Sequence, residues 1–232
     1  MILKILALDT ATTACSVAVR VDGKTLASAL QPMTRGQSEA LMPMVMDVLA
    51  ETGLSVSDFD LIAVTRGPGA FTGLRIGLAA ARGLALASGV PCCGVTTTQA
   101  IAEAAREPDN ADQVLMVALD SRRADIYIDL FDRNGSLLDH PRAMALEDVP
   151  GLVDGLSVTQ PLCVVGDAAE RVIEVLRGTV SKSPASDVPD ARFVAAVGER
   201  ILEAGGRLGE TSPLYLRPAD AVIPKNGGRL RP

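Results

Sequence analysis

Apolar residues along this chain occur in short unbroken runs and in longer stretches with helical spacing. Short apolar runs bounded by turn residues are typical of buried strands, whereas apolar residues recurring every three to four positions are typical of helices. The short runs predict strands at residues 2–8, 15–21, 24–30, 61–65, 90–95, 114–119, 124–131 and 162–165. The longer stretches predict helices at residues 38–52, 74–88, 97–106, 168–177 and 190–203. This alternation indicates an α/β protein.

Each half of the chain begins with the same order of features. An apolar strand ends in an aspartate, at Asp9 in the first half and at Asp120 in the second. A further strand follows in both halves, and Asp22-Gly23 and Asn134-Gly135 are pairs that favour tight hairpin turns. The shared order predicts two related α/β halves.

The polar run at residues 107–112 has the composition of a boundary between the halves. We therefore expect a first domain over residues 1–106 and a second over residues 107–217. The helix at about 190–204 is a candidate to pack back on the first domain. The end of the second domain is expected to be extended, and residues 218–232 are expected to form a partly disordered tail.

Composition and charge exclude several classes of protein. The chain is 48% apolar and 22% charged, which is typical of a folded domain. Its net charge of −6 argues against a protein that binds nucleic acid without a partner, because phosphate binding needs clustered cations. The sequence has no apolar run long enough to cross a membrane and no signal-peptide pattern, so we expect a cytoplasmic protein without membrane contact. With one histidine and no CxxC pair, we expect no metal site.

Residues 65–77 form the most informative run, with Gly67, Pro68, Gly69 and Gly73 between a predicted strand and a predicted helix. Glycine adopts positive φ without strain, so these residues predict a tight turn. Such a turn delivers backbone N–H groups to the start of a helix, an arrangement that suits an anion. A secondary hypothesis is an anion or nucleotide contact formed by Asp9, Thr12, Arg66, Gly67, Gly69 and Thr72.

A dinucleotide-binding site is a poor match to this turn. Pro68 removes one backbone N–H, and the next strand ends at Val95 without the acidic residue that would bind a ribose. Asp9 has two interpretations, since it could orient a metal or a water, or it could bond to local backbone at the end of its strand. The second interpretation is favoured.

The helix that follows the turn has very few charged side chains. Between residues 74 and 87 only Arg75 and Arg82 are charged, and their spacing of two helical turns places them on one face. A helix with so small a polar face must be covered on more than one side, by its own sheet and by a second helix. Gly73, Gly77, Ala81 and Ala85 form one row of small residues that would let a helix approach, and Ala79, Gly83 and Ala87 form another.

This pattern predicts a partner interface built from Met42, Met46, Gly73, Leu74, Gly77, Leu78, Ala81, Arg82 and Ala85. The alternative is that the helix is wholly buried inside one domain. Substitution of Gly77 by Leu or of Ala81 by Glu is expected to abolish pairing and to leave the domain folded.

Four stretches in the order of the chain resemble the bacterial TsaB (YeaZ) family. They are residues 7–18, 66–77 and 120–127 and the run Tyr215-Leu216-Arg217. The resemblance implies two related domains of the actin/Hsp70/sugar-kinase (ASKHA) type. It also implies a non-catalytic subunit, not an enzyme on its own, of the complex that makes threonylcarbamoyladenosine beside the anticodon in tRNA. The implied partners are a TsaD-like catalytic subunit, bound through the first domain, and a TsaE-like ATPase. We expect tRNA contact through the complex and a homodimer when the catalytic partner is absent.

The chain departs from catalytic relatives of this architecture at two places. TsaD-type proteins hold a metal with histidines on the helix after the first hairpin, but the matching residues 35–41 contain none. Kinases of this fold use glycine in the first loop, but residues 9–13 contain none. We therefore assign no catalytic residue and no firm cofactor, and expect ATP or ADP to bind only weakly or at a complex interface. The alternative function is a nucleotide-dependent small-molecule kinase of the same fold.

Overall fold

The computed structural model describes residues 2–106, 113–132, 134–156, 160–205 and 208–217. Its strands are β1 (Lys4–Asp9), β2 (Ala14–Val21), β3 (Lys24–Pro32), β4 (Leu61–Thr65), β5 (Cys92–Val95), β6 (Val114–Asp120), β7 (Asp125–Phe131), β8 (Arg142–Ala145), β9 (Leu162–Val165) and β10 (Val180–Lys182). Its α-helices are α1 (Gln37–Thr52), α2 (Phe71–Ser88), α3 (Thr97–Ala105), α4 (Val149–Gly155), α5 (Ala169–Val175) and α6 (Ala191–Glu203).

The strands form two five-stranded sheets with the same topology. The first sheet has the order β3-β2-β1-β4-β5, and the second has the order β8-β7-β6-β9-β10. In each sheet the first three strands in sequence order pair antiparallel with their neighbours. The fourth strand pairs parallel with the first, and the fifth pairs parallel with the fourth. The α/β class expected from the hydrophobic pattern is confirmed.

Alternating side chains of β1 and β4 divide the first domain into two apolar layers. Leu6, Leu8 and Val64 pack beneath α1 and α2 on one face of the sheet, whereas Ile5 and Ala63 meet α6 on the other. This alternation is the period-2 pattern of a strand covered on both sides. The helix α6 is thus held on the first sheet although it follows the second sheet in sequence.

Two features of α6 explain its position. Gly198 faces the sheet, where an added Cβ would lie 2.9 Å from the Cβ of Ala63. The buried carboxylate of Glu199 accepts hydrogen bonds from Arg20 Nε at 2.6 Å and from the backbone N–H of Gly23 at 2.8 Å. The helix therefore approaches the sheet closely and is fastened to the β2–β3 hairpin.

Residues 208–217, here called the C-terminal strap, were expected to belong to the second domain. They dock instead on the first. The backbone N–H of Gly94 donates to the carbonyl of Gly209 at 3.1 Å, and that of Leu214 donates to the carbonyl of Arg66 at 2.7 Å. An ion pair of 2.8 Å between Arg217 and Asp125 ties the end of the strap to the second domain. The expected boundary after residue 106 and the expected tail at 218–232 lie outside the described residues.

Several elements differ from the expectation in detail. Helix α2 begins at Phe71, because the turn ends earlier than the apolar pattern indicates. Strands β8 and β10 and helix α4 are not evident in the hydrophobic pattern. Both strands are sheet edges, and no residue of either is fully buried, so their side chains carry no strong apolar signal.

Candidate functional site

The glycine turn closes against the loop that follows β1. The backbone N–H of Ala70 donates to the carbonyl of Ala11 at 2.7 Å, and the Thr10 hydroxyl donates to the carbonyl of Gly73 at 2.7 Å. An added Cβ at Gly69 would lie 2.3 Å from the Ala11 oxygen, and one at Gly73 would lie 2.1 Å from the Thr10 oxygen. These glycines are therefore required for contact between two backbones of the same domain.

The first row of small residues on α2 faces inward. A Cβ at Gly77 would lie 2.6 Å from Thr10 Oγ1, and Ala81 is fully buried. The interface prediction is therefore wrong for the five residues that the domain itself buries, which are Gly73, Leu74, Gly77, Leu78 and Ala81. The sequence spacing places these residues together on one side of α2. It does not show whether that side packs on the domain's own sheet or on a partner. For the same reason Gly77→Leu and Ala81→Glu would disrupt the domain, contrary to the expectation that it stays folded.

The opposite side of α2 is exposed and remains largely apolar. Leu86 is 89% exposed and Phe71 is 54% exposed. On the neighbouring helix α1, Met46 is 61% exposed and Met42 is 38% exposed. We define the outer face of α1 and α2 as Met42, Met46, Phe71, Arg75, Ala79, Arg82, Gly83 and Leu86, all of them exposed. Of the remaining predicted interface residues, Met42, Met46 and Arg82 lie on this face, and Ala85 is half-buried beside it.

An aromatic and arginine cluster lies where the C-terminal strap meets this face. The guanidinium carbon of Arg75 lies 3.6 Å from the ring centroid of Phe71, and Arg75 Nε donates to the Tyr215 hydroxyl at 3.1 Å. The rings of Phe71 and Tyr215 stack with centroids 5.6 Å apart. Arg82 Nε contacts the Thr211 hydroxyl at 3.4 Å. No local sequence pattern indicates the contributions of Tyr215 and Thr211, because 140 positions separate Arg75 from Tyr215.

Asp9 is completely buried at the end of β1. Its Oδ1 accepts hydrogen bonds from the Thr65 hydroxyl at 2.6 Å and from the backbone N–H of Ala11 at 3.1 Å, while Oδ2 has no partner among the described residues. Burial raises the pKa of this carboxyl to about 7, against the lowering effect of these two hydrogen bonds. The contact with Ala11 is the local backbone interaction expected for an aspartate at the end of its strand.

The other residues of the anion hypothesis do not form a phosphate cradle. Gly69 packs against the loop after β1. Gly67 packs against the C-terminal strap, where an added Cβ would lie 2.8 Å from the carbonyl oxygen of Leu214. Thr72 is exposed, whereas Thr12 Oγ1 and Arg66 Nε are buried without a partner in the described structure. Gly67 and Gly69 therefore face backbone of the protein itself and not open space.

Two other kinds of feature are absent from the described residues. No group of three or more histidine, cysteine or carboxylate side chains could hold a metal ion. None of the helices described has both the length and the apolar character needed to cross a bilayer.

Comparison with known proteins identifies the family. The family model described as TsaD, tRNA N6-adenosine threonylcarbamoyltransferase, matches residues 31–160, more than half of the chain. The solved structure of YeaZ from Pseudomonas aeruginosa shares 30% sequence identity and a TM-score of 0.79, over 92% of this chain and 100% of that one. The chain belongs to the TsaB (YeaZ) family.

Curated TsaB relatives support the same family. This chain is 40% identical over 138 residues to the tRNA threonylcarbamoyladenosine biosynthesis protein TsaB of Escherichia coli (strain K12). That match covers 60% of this chain and 59% of the relative, so the chain spans less than two thirds of the curated protein. A ROK hexokinase from Thermus thermophilus, with a TM-score of 0.53 and 13% identity over 87% of this chain and 100% of that one, shares the fold alone. With its two sheets of the same strand order, this chain thus has the fold of the actin/Hsp70/sugar-kinase type that the resemblance implies.

Proposed function

We propose that this chain is the non-catalytic scaffold subunit that pairs with a TsaD-like catalytic subunit for threonylcarbamoylation of the adenosine next to the anticodon in tRNA. The names of the curated TsaB relatives refer to biosynthesis of this nucleoside, and the TsaD family model matches much of the chain. The observation that carries the pairing is the outer face of α1 and α2.

An exposed face of this kind is best explained by a protein partner. Leu86, Met46 and Phe71 each expose more than half of their surface on two adjacent helices. Burying a side chain of this size contributes roughly 1.5–3 kcal/mol, so a partner that covers several of them gains substantial free energy. We propose that the TsaD-like subunit covers this face, and that a second copy of the chain covers it when that subunit is absent.

Two features of the described residues support a non-catalytic role. Residues 35–41, at the start of α1, contain no histidine, and the loop after β1 uses its hydroxyl and carbonyl groups to hold α2. We therefore propose that the partner supplies the catalytic groups. We propose that a TsaE-like ATPase joins the pair, that tRNA is bound by the assembled complex, and that any ATP or ADP contact lies at an interface.

Co-purification with a TsaD homologue of the same organism tests the proposal. The full chain is co-expressed with that homologue, and the complex is measured by size-exclusion chromatography with light scattering and by calorimetry. Leu86→Glu places a charge on the proposed contact face without touching the core, since Leu86 is 89% exposed. We expect at least about a 30-fold loss of affinity, which corresponds to roughly 2 kcal/mol.

Leu26→Glu is the matched control, because Leu26 is also an exposed leucine of the first domain, 54% exposed on strand β3. It should bind the TsaD homologue as the unmodified chain does. Failure of the unmodified chain to bind, or equal binding by the Leu86 and Leu26 variants, would contradict the proposed interface. Phosphotransfer from ATP by the purified chain alone would contradict the scaffold role.

A further inference from the structure

We infer that the C-terminal strap is part of the partner-binding face, where Tyr215 and Thr211 hold Arg75 and Arg82 in position to bind carboxylates of the TsaD-like subunit. This inference rests on the proposed function. It adds that the partner presents acidic side chains to the rim of the outer face, which is the edge where Arg75 and Arg82 meet the strap. Tyr215 and Thr211 are positioning residues, and the two arginines make the contact.

The geometry at Arg75 orients its guanidinium group toward the outside of the domain. The group lies over the Phe71 ring at 3.6 Å, and its Nε is held by the Tyr215 hydroxyl at 3.1 Å. Within the described structure, its two Nη groups make no hydrogen bond. A planar guanidinium that is already stacked and held at Nε loses little side-chain entropy when the remaining N–H groups bind a carboxylate.

Arg75 and Arg82 differ from most of the arginines that the structure describes, because they have no ion pair within the described residues. Within the described residues, at least nine arginines lie within ion-pair distance of a carboxylate, among them Arg20, Arg66, Arg106, Arg122, Arg142, Arg171, Arg192, Arg200 and Arg217. Neither Arg75 nor Arg82 has such a pair with any residue that the structure describes. The chain carries a net charge of −6, so two unpaired cations on an apolar face are a local exception. Charge complementarity therefore favours an occupant with acidic groups at this rim.

The strap is well suited to hold these side chains, because it is fastened along its length. An added Cβ at Gly94 would lie 2.1 Å from the Glu210 oxygen, and one at Gly209 would lie 2.2 Å from the Gly94 oxygen. These glycines allow the strap to lie directly on the end of β5, and the Leu214 N–H continues the attachment on Arg66. Thr211 and Tyr215 lie along this fastened segment, so their hydroxyl groups are placed by backbone contacts.

The test measures binding of the full chain to its TsaD homologue by calorimetry at low and at high salt. Tyr215→Phe keeps the ring stack and removes only the hydroxyl, and we expect roughly 3- to 10-fold weaker binding. Arg75→Ala should weaken binding about 10-fold and should also reduce the salt dependence of the affinity, since a rim charge acts through screened electrostatics. Arg75→Lys keeps the charge but not the planar group, and should resemble Tyr215→Phe.

Arg192→Ala is the control for loss of a ring-stacked arginine away from the outer face, although Arg192, unlike Arg75, has an ion pair, with Asp190. The Arg192 guanidinium also lies over a phenylalanine ring, at 5.6 Å from that of Phe193, but it belongs to α6 on the opposite face of the first sheet. Thermal unfolding of each variant checks that the domain is folded. If the unmodified chain binds and the variants of Tyr215 and Arg75 bind equally well with unchanged salt dependence, the inference is overturned while the proposed function stands. If the unmodified chain does not bind the TsaD homologue, both fail.

Discussion

The Thr10 hydroxyl donates a 2.7 Å hydrogen bond to the carbonyl of Gly73, which joins the loop after β1 to the first turn of α2. Both residues are buried, and the Thr10 carbonyl lies in the space that a Gly73 side chain would occupy. The contact determines which side of α2 faces the domain. It thereby leaves Phe71, Arg75 and Leu86 on the outside, available to a partner.

Substitution of Gly73 by alanine is expected to destabilise the first domain by about 2–4 kcal/mol, because its Cβ would lie 2.1 Å from a backbone oxygen that cannot move freely. Gly83→Ala is the control on the same helix, where nothing lies within 4 Å of the added Cβ. That variant should gain roughly 0.5–1 kcal/mol from helix propensity. Chemical denaturation gives both free energies of unfolding, and similar values for the two variants would contradict the close approach.

The buried carboxyl of Asp9 should make the stability of the protein fall as pH rises. Burial raises its pKa from 3.8 to about 7, so between these values the folded state binds more protons than the unfolded state. The free energy of unfolding therefore decreases across this interval and levels off above about 7. Asp129, whose pKa burial also raises to about 7, contributes a decrease of the same sign.

Asp9→Asn isolates the contribution of Asp9, because the amide oxygen can still accept from Thr65 and Ala11 but the side chain no longer titrates. We expect a smaller decrease in the free energy of unfolding between pH 5 and pH 8 than in the unmodified protein. Denaturation series at several pH values provide the measurement. Equal slopes for the two proteins would show that Asp9 does not titrate in this range.

Removal of the Glu199 carboxylate is expected to loosen the attachment of α6. Glu199→Ala leaves Arg20 and the Gly23 N–H without their acceptor, at a cost of roughly 2–4 kcal/mol for a largely buried charged contact. Glu203→Ala lies on the same helix at an exposed position and should change stability by less than about 0.5 kcal/mol. Chemical denaturation of both variants tests the difference, which should disappear if Glu199 has no structural role.

Much of the fold followed from local patterns. The central strands β1, β4 and β6 are almost wholly buried, so their apolar runs were unambiguous in the sequence. The edge strands β8 and β10 were not, because their half-exposed side chains need no apolar character. The repeated aspartates at the ends of β1 and β6 indicated two related halves, and the two sheets have the same strand order.

The sequence by itself determined that α2 has too few polar residues to face water, and that its glycines demand close packing. Only the tertiary structure decided what those glycines pack against. Helical spacing shows which residues share a side of the helix, but the orientation of that side is fixed only when the helix packs on its sheet. Gly73 and Gly77 meet Thr10, and the outer face is formed by Phe71, Arg75 and Leu86. The strap residue Tyr215 joins that face through contacts 140 positions away in the chain, which no local pattern records.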